Sequence, residues 1–264
     1  MLSNEGREHL DIGRSLIAGF NEGLAQEKLE LKSRSRDAFI NAGVVLALAV
    51  HTHQLGAMIL DLLERETPVV LVLPNLRTCY EAALTAHWVA QSTDAAAALL
   101  NEDLRQRRNL QRTLRESASL QNFADRVAHA DDPVLPNTTA SQAQAKSIEQ
   151  MFKDFDGAAG RDAYAYYRLL CGYSHARGTL IDQYLVETDE STTAPVALCL
   201  EPKEPIPPGA IAFLTGCCLI WAGSAVRYLG KDKLRRRKEL RTAAKQLGIS
   251  PDIQLSDQAR HRQK

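Results

Sequence analysis

Long stretches of this chain contain strong helix-forming residues and few residues that interrupt a helix. The sequence has only 15 Gly and 10 Pro among its 264 residues, and Ala, Leu, Gln, Glu and Arg dominate long segments. These residue types favour helices, whereas β-sandwiches and barrels need frequent turn residues. From about Glu27 to Glu66 the apolar residues recur with a helical period, first in a charged segment and then in an increasingly apolar one. The expected fold class is therefore all-α.

The remaining sequence fits a single helical bundle of six to eight helices. Thr67 and Pro68 begin one helix that runs to about Gln91. Further helices are expected at about 95–120, 141–155, 162–184, 211–229 and 233–247. Alternating apolar and polar residues at about 184–200 predict a small β-hairpin inserted into the bundle. We therefore divide the chain into an N-terminal extension (1–26), the bundle (27–230) and a basic C-terminal helix with a frayed polar tail (231–264).

The charge balance and the cysteines restrict the function classes. Thirty-two basic and 32 acidic residues give a net charge of zero, which excludes a protein whose whole surface attracts nucleic acid. An odd number of cysteines without C-x-x-C spacing argues against a disulfide framework or a zinc site. These cysteines are Cys79, Cys171, Cys199, Cys217 and Cys218. We expect a cytoplasmic protein that uses no cofactor and no metal.

One segment has the composition of a membrane anchor. Residues 209–226 carry no charge, and basic residues follow them. Gly, Ala, Thr215 and Ser224 dilute the apolar run, and a central buried helix has the same composition. We favour the buried helix, so a membrane partner is not expected.

A first group of candidate residues lies in the helix that begins at Thr67. Arg77, Glu81 and Trp88 are spaced so that they share roughly one helix face next to an apolar run. One interpretation is an ion pair within the helix beside a core tryptophan. The other is that both charges are buried, where they need partners such as His175 and can position a side chain or a phosphate. We expect Arg77, Glu81 and His175 to lie close together inside the bundle.

A second group lies in the tyrosine-rich helix expected at 162–184. Arg168 and His175 are seven residues apart, so they project from the same side two turns from each other. Imidazole can move a proton near neutral pH, and arginine can stabilise the charge of a phosphoryl transition state. The pair would suit metal-independent RNA cleavage. The alternative is a hydrogen-bonded core histidine, with Gly172 serving close helix packing.

These two groups resemble the paired signature of an uncharacterised, all-helical bacterial family. In that family an R-x3-E helix precedes a Y-x2-L-S-x3-H helix, and the resemblance covers about residues 40–230. The matching residues here are Arg77, Glu81, Tyr167, Leu170 and His175. Cys171 stands where the family motif has serine.

More distantly, the spacing of Arg168 and His175 resembles the R-x4-6-H motif of HEPN-domain ribonucleases. These are helical bundles common among toxins and antiviral defence proteins, in which the motifs of two protomers meet at a dimer interface. The resemblance implies only that Arg168 and His175 are active-site residues. A composite site would require dimerisation that sets the two His175 helices near each other, and we expect a homodimer. Leu169 occupies the position where such motifs usually carry a polar residue.

A local basic segment is the candidate for contact with a phosphate backbone. Between Arg227 and Lys245 there are nine basic and two acidic residues. The expected nucleic-acid-binding residues are Arg235, Arg236, Arg237, Lys238 and Arg241. A solvated terminal helix explains the same composition equally well.

Two hypotheses for function follow. The first is a HEPN-like endoribonuclease in a toxin or defence setting, with RNA as substrate, His175 as general acid and base, and Arg168 as phosphate stabiliser. The second is a non-catalytic helical interaction or regulatory module in which Arg77, Glu81 and His175 form an internal polar network. The candidate partners are RNA, a second copy of the chain, and a protein such as an antitoxin. In both hypotheses, Tyr167 and Ser174 would support the polar network of Arg77 and Glu81. The histidines His51 and His53 and the apolar Cys217 and Cys218 are expected to be structural.

Overall fold

The computed structural model describes most of the chain. The described residues are 2–26, 29–33, 35–92, 94–136, 141–188, 196–230 and 237–262. Within them the chain forms eleven α-helices, one short 3-10 helix and two strands. The all-α prediction with a small hairpin is therefore confirmed.

Six of the described helices have 18 or more residues and form the bundle. They are α1 (Asn4–Gln26), α2 (Arg36–Glu64), α3 (Val69–Gln91), α4 (Ala95–Glu116), α7 (Gly157–Ser174) and α9 (Pro208–Leu229). The shorter helices are α5 (Gln142–Ala145), α6 (Ile148–Phe152), α8 (Gly178–Ile181), α10 (Arg237–Gln246) and α11 (Asp257–Arg262). The 3-10 helix spans Gln121–Arg126.

The apolar helix α9 lies at the centre of the bundle. It packs against α1, α2, α3 and α10. Among the described residues, α2 and α9 are the two helices long and apolar enough to cross a membrane, judged by length and composition. In α9, however, 67% of the most apolar window is buried inside the chain. This burial is what the buried-helix interpretation of residues 209–226 expects.

The expected N-terminal extension is itself a helix of the bundle. Helix α1 packs along α9 and α2, with Leu10 and Phe20 in the core. Near its start α1 approaches α9 so closely that a Cβ atom on Gly6 would lie 3.0 Å from the Cα atom of Gly209. Glycine at both positions therefore permits this close crossing of the two backbones.

The small β-hairpin lies where the alternating pattern placed it. Strands β1 (Leu185–Glu187) and β2 (Val196–Leu198) are antiparallel, with Leu185 opposite Leu198. Asp189, Glu190 and Ser191, which the prediction placed between the strands, lie outside the described residues. The hairpin is peripheral, since Val196 and Leu198 are exposed.

Some predicted helix boundaries are wrong. The helix expected at 162–184 begins at Gly157 and ends at Ser174, and His175 follows it in extended backbone. This break lies between Gly172 and Gly178, which both lower helix propensity. The helix expected at 141–155 is divided into α5 and α6, because Ser147 adopts an extended conformation at the start of α6.

The tail that we expected to be frayed is packed onto the bundle from residue 247 to residue 262. Ile253, Leu255 and Ala259 are buried. The main chain of this segment bonds to the loop after α6, where the Asp156 N–H donates to the Gln254 carbonyl and the Ser256 N–H donates to the Asp154 carbonyl. A few apolar residues in a mostly polar segment are thus enough to hold it, and the prediction of a frayed tail is wrong.

Candidate functional site

The two groups of candidate residues meet where α3 packs against α7. The buried side of α7 faces α3 through Ala163 and Leu170, and Tyr80 of α3 donates a hydrogen bond to the Ala163 carbonyl at 3.1 Å. One turn away from this buried contact lie Arg77 and Tyr167, at the edge of the helix pair. The packing of α3 against α7 therefore brings the R-x3-E and Y-x2-L-C motifs together at one edge.

Four side chains form what we call the α3–α7 polar cluster: Arg77, Glu81, Tyr167 and Cys171. Arg77 Nη2 donates to Tyr167 Oη at 2.9 Å, and Arg77 Nε donates to Cys171 Sγ at 3.2 Å. The same Nη2 lies 3.2 Å from Glu81 Oε2. The Arg77 guanidinium also lies 5.3 Å from the centre of the Tyr167 ring, within the range of a cation–π contact. Cys171, which stands where the resembled motif has serine, thus accepts a hydrogen bond from Arg77.

The cluster is half-buried rather than sealed. The Arg77 and Glu81 side chains are 23% and 35% exposed. Burial opposes the charge of Arg77, but its hydrogen bonds to Tyr167 and Cys171 and the charge of Glu81 outweigh burial and raise its pKa. Burial also raises the pKa of the Tyr167 phenol, against the opposing effect of Arg77. At neutral pH the cluster therefore holds a fixed guanidinium charge beside a neutral phenol.

A second polar chain lies beside the cluster on the outer side of α7. Tyr164 Oη donates to Glu149 Oε2 of α6 at 3.1 Å, and Arg168 Nη1 donates to Tyr164 Oη at 3.4 Å. The hydrogen bond to Tyr164 raises the pKa of Arg168, and the ion pair with Lys153 lowers the pKa of Glu149. The Tyr164 and Tyr167 rings are stacked with their centres 6.4 Å apart. Arg168 itself is exposed, so its guanidinium can reach an anion from solvent.

His175 does not join Arg77 and Glu81. It is exposed, and among the described residues its side chain has no hydrogen bond or ion pair. The expected network of the three residues inside the bundle is wrong in this respect, because α7 ends before His175 and the helical spacing no longer directs its ring toward α3. Ser174 is also separate from the cluster, since its hydroxyl donates to the Leu170 carbonyl of its own helix at 2.8 Å.

The other candidate residues lie elsewhere. Lys238 and Arg241 are exposed on α10, which packs against α9 and α1 rather than against α7. Arg237 begins α10, and Arg235 and Arg236 lie outside the described residues. In the part of the chain that the structure describes, no group of three His, Cys, Asp or Glu residues could hold a metal ion.

Sequence reasoning missed a buried polar site at the other end of α3. His87 is fully buried, with Nδ1 3.2 Å from the Trp221 carbonyl oxygen and Nε2 3.0 Å from the Ile253 nitrogen. Trp88 Nε1 donates to Asp154 at 3.0 Å, and Arg262 forms an ion pair with the same carboxylate. No sequence signal joins these residues, because their partners are 66 to 166 positions apart along the chain.

The cluster predicts that Arg77 contributes more to stability than Glu81. Arg77→Ala removes two hydrogen bonds to α7 and an ion pair, and hydrogen bonds to a charged group contribute about 1.5–3 kcal/mol. Glu81→Ala removes one ion pair that is open to solvent, which costs about 1 kcal/mol or less. Urea unfolding of both variants measures the difference. Equal losses would contradict the hydrogen-bond arrangement described here.

Comparisons with known proteins place this arrangement in a family. No curated protein and no solved structure matches the chain. A family model, however, matches residues 42–192, a span that covers more than half of the chain. The span includes α3, α7, the whole α3–α7 polar cluster and His175. The chain therefore belongs to DUF5677, a family of unknown function.

Proposed function

We propose that this protein is a metal-independent endoribonuclease that resembles HEPN-domain ribonucleases and acts in the cytoplasm, in a toxin or defence setting. The observation that carries the proposal is the exposure of both Arg168, in the last two turns of α7, and His175, which directly follows α7. A residue that performs chemistry on a polymer must be reachable from solvent, whereas a buried core histidine is not. Arg168 lies six residues before Ser174, the last residue of α7, which corresponds to about 9 Å of helix rise, and His175 follows the helix directly. The long Arg168 side chain can cover this distance toward a phosphodiester held at His175.

In the proposed reaction an RNA 2′-hydroxyl attacks the neighbouring phosphorus and the bond to the 5′-oxygen breaks. Neutral His175 takes the proton of the attacking hydroxyl, and Arg168 stabilises the charge that develops on the phosphoryl oxygens. The leaving 5′-oxygen receives its proton from water or from the protonated His175 of a second protomer. Arg77 supports α7 from behind, through Tyr167 and Cys171.

The second candidate function is a non-catalytic interaction module. The observation that favours it is that Arg77 bonds to groups of α7 and α3, which is what a structural clamp between two helices requires. In that case Arg168 and His175 are surface residues without a substrate. Exposed Lys238 and Arg241 are then a solvated face rather than an RNA contact.

Cleavage of a panel of single-stranded and hairpin RNAs in excess EDTA tests the proposal. We expect cleavage by the wild-type protein and a loss of about 100-fold or more in His175→Ala, since general acid–base catalysis contributes about 10²–10⁴-fold. His261→Ala is a matched control, because His261 is also exposed but lies on α11. Far-UV circular dichroism checks that each variant is folded.

Two results would contradict the proposal: no cleavage of any RNA by the wild-type protein, or unchanged cleavage by His175→Ala. A mixture of Arg168→Ala and His175→Ala proteins adds information about the site. Recovery of activity in the mixture would indicate that two protomers contribute to one site. Steep loss of RNA binding with salt, reduced in Arg241→Ala, would place the basic helix on the RNA.

A further inference from the structure

Helix α2 has a face without charged residues on the side that points away from the core. Between Asp37 and Asp61 it contains no Asp, Glu, Lys or Arg. Six exposed residues follow one another at helical spacing along this side, and we call them the outer face of α2: Phe39, Gly43, Ala47, His51, Gln54 and Met58. Phe39 is 58% exposed and Met58 is 38% exposed.

This face is unusual for a helix at a protein surface. A helix that is apolar all round is normally buried, and a surface helix carries charges on its solvent side. Only 39% of the most apolar window of α2 is buried inside the chain, compared with 67% for α9. The core of this protein therefore accounts for α9 but leaves one side of α2 uncovered. Exposed large apolar side chains such as Phe39 and Met58, on a face without charges, favour contact with another molecule.

The outer face of α2 can pair with the same face of a second copy when the two helices run antiparallel. If Phe39 lies opposite Met58 of a second copy, Gly43 falls opposite Gln54 and Ala47 falls opposite the Val50–His51 turn. The small residues Gly43 and Ala47 then leave room for the larger side chains of the partner helix, as close helix packing requires.

The charges at the two ends of α2 fit the same pairing. Arg36 lies three residues before Phe39 and Asp61 lies three residues after Met58, so each Arg36 falls opposite an Asp61 of the second copy. Arg36 is exposed and has no side-chain partner among the described residues. Asp61 is 51% exposed, and one of its oxygens bonds to Arg14. Opposite charges at both ends favour the antiparallel register over the parallel one.

We propose that the outer face of α2 is a homodimer interface in which two copies of this chain pair their α2 helices antiparallel about a two-fold axis. Such an isologous contact uses the same patch on both subunits. A lipid surface fits less well, because His51 and Gln54 lie in the middle of the face and polar groups are costly in hydrocarbon. The proposal does not rest on the ribonuclease proposal. Helix α3 packs against both α2 and α7, so pairing through α2 leaves the outer side of α7 open.

Sedimentation equilibrium of the full chain tests this interface with two matched variants. Ala47→Glu places a carboxylate in the middle of the outer face of α2, and Ala165→Glu places one on the exposed side of α7. We expect the wild-type protein and Ala165→Glu to have twice the 29.1 kDa protomer mass. Ala47→Glu should dimerise about tenfold more weakly or worse, because a charge is trapped against an apolar surface. Met58→Lys provides a second disruption if Ala47→Glu fails to fold.

Charge reversal tests the orientation. Arg36→Asp and Asp61→Arg should each weaken the dimer, and the double variant should recover most of the lost affinity. Absence of that recovery would overturn the antiparallel register. A monomeric wild-type protein, or a dimer that Ala165→Glu breaks and Ala47→Glu does not, would overturn the interface itself. If a monomeric wild-type protein binds phosphatidylcholine–phosphatidylglycerol vesicles and Ala47→Glu does not, lipid covers this face and the proposal is wrong.

Discussion

We expect acidification from about pH 6.5 to pH 4 to remove about 3 kcal/mol of the free energy of unfolding through His87 alone. Burial lowers the pKa of His87 to about 4, although the carbonyls of Trp221 and Ile253 partly oppose this effect. In the unfolded chain a histidine has a pKa of about 6.5. Between these two values the unfolded state binds a proton that the folded state does not bind. Stability is therefore fully present above about pH 6.5 and is lost as the pH falls toward 4.

Burial, rather than hydrogen bonding, makes the neutral His87 ring the stable form, because the Trp221 and Ile253 carbonyls favour the protonated ring. We infer that Nδ1–H donates to the Trp221 carbonyl and that Nε2 accepts from the Ile253 N–H. Protonation of Nε2 would remove that acceptor from the Ile253 N–H, while the new N–H could donate to the Ile253 carbonyl oxygen at 3.0 Å. Urea unfolding of the wild-type protein and of His87→Gln between pH 7 and pH 4.5 measures the effect. The variant should be less stable at pH 7 but lose less stability on acidification; parallel pH profiles would contradict the assignment.

Trp88→Ala should cost about 3–5 kcal/mol, the usual loss for deleting a buried aromatic side chain. Trp88 is fully buried, and its indole N–H bonds to a carboxylate that is only 6% exposed. Trp88→Phe keeps most of the volume and removes only the hydrogen bond, so it should cost about 1.5–3 kcal/mol. Guanidinium unfolding followed by far-UV circular dichroism separates the two losses. A loss below about 1 kcal/mol in Trp88→Ala would show that Trp88 is not part of the core.

The helices and the Arg77–Glu81 pair of the candidate site could be predicted from the sequence, because both depend on spacing within a helix. Arg77 and Glu81 are four residues apart, so their ion pair follows from the helical period. The contact of Arg77 with Tyr167 was suggested by the paired motifs but depends on the packing of α3 against α7. The position of His175 could not be predicted from helical spacing, since it depends on where α7 ends.

The buried polar contacts of α3 could not be predicted from the sequence, for a different reason. His87 and Trp88 look like ordinary core residues in a helical pattern, and their polar partners follow α6, lie on α9 or belong to the 247–262 segment. The periodicity of apolar residues predicts which face of a helix is buried. It does not predict which polar atoms of other helices or loops will contact that face. The same limit explains the wrong prediction of a frayed tail, because Ile253, Leu255 and Ala259 are isolated apolar residues in a polar segment.

The docking of the 247–262 segment has a consequence for the order in which the chain folds. His87 takes its hydrogen bond from Ile253, 166 positions later in the chain, and Arg262 reaches Asp154 across 108 positions. During synthesis the helices α1 to α9 emerge before the ribosome has made this segment, so the His87 imidazole and the Asp154 carboxylate must wait for these partners. Contacts of such long sequence separation form late and slow folding. The nascent bundle is therefore expected to remain loosely packed at one end, and most accessible to chaperones and proteases there, until residue 262 has been added.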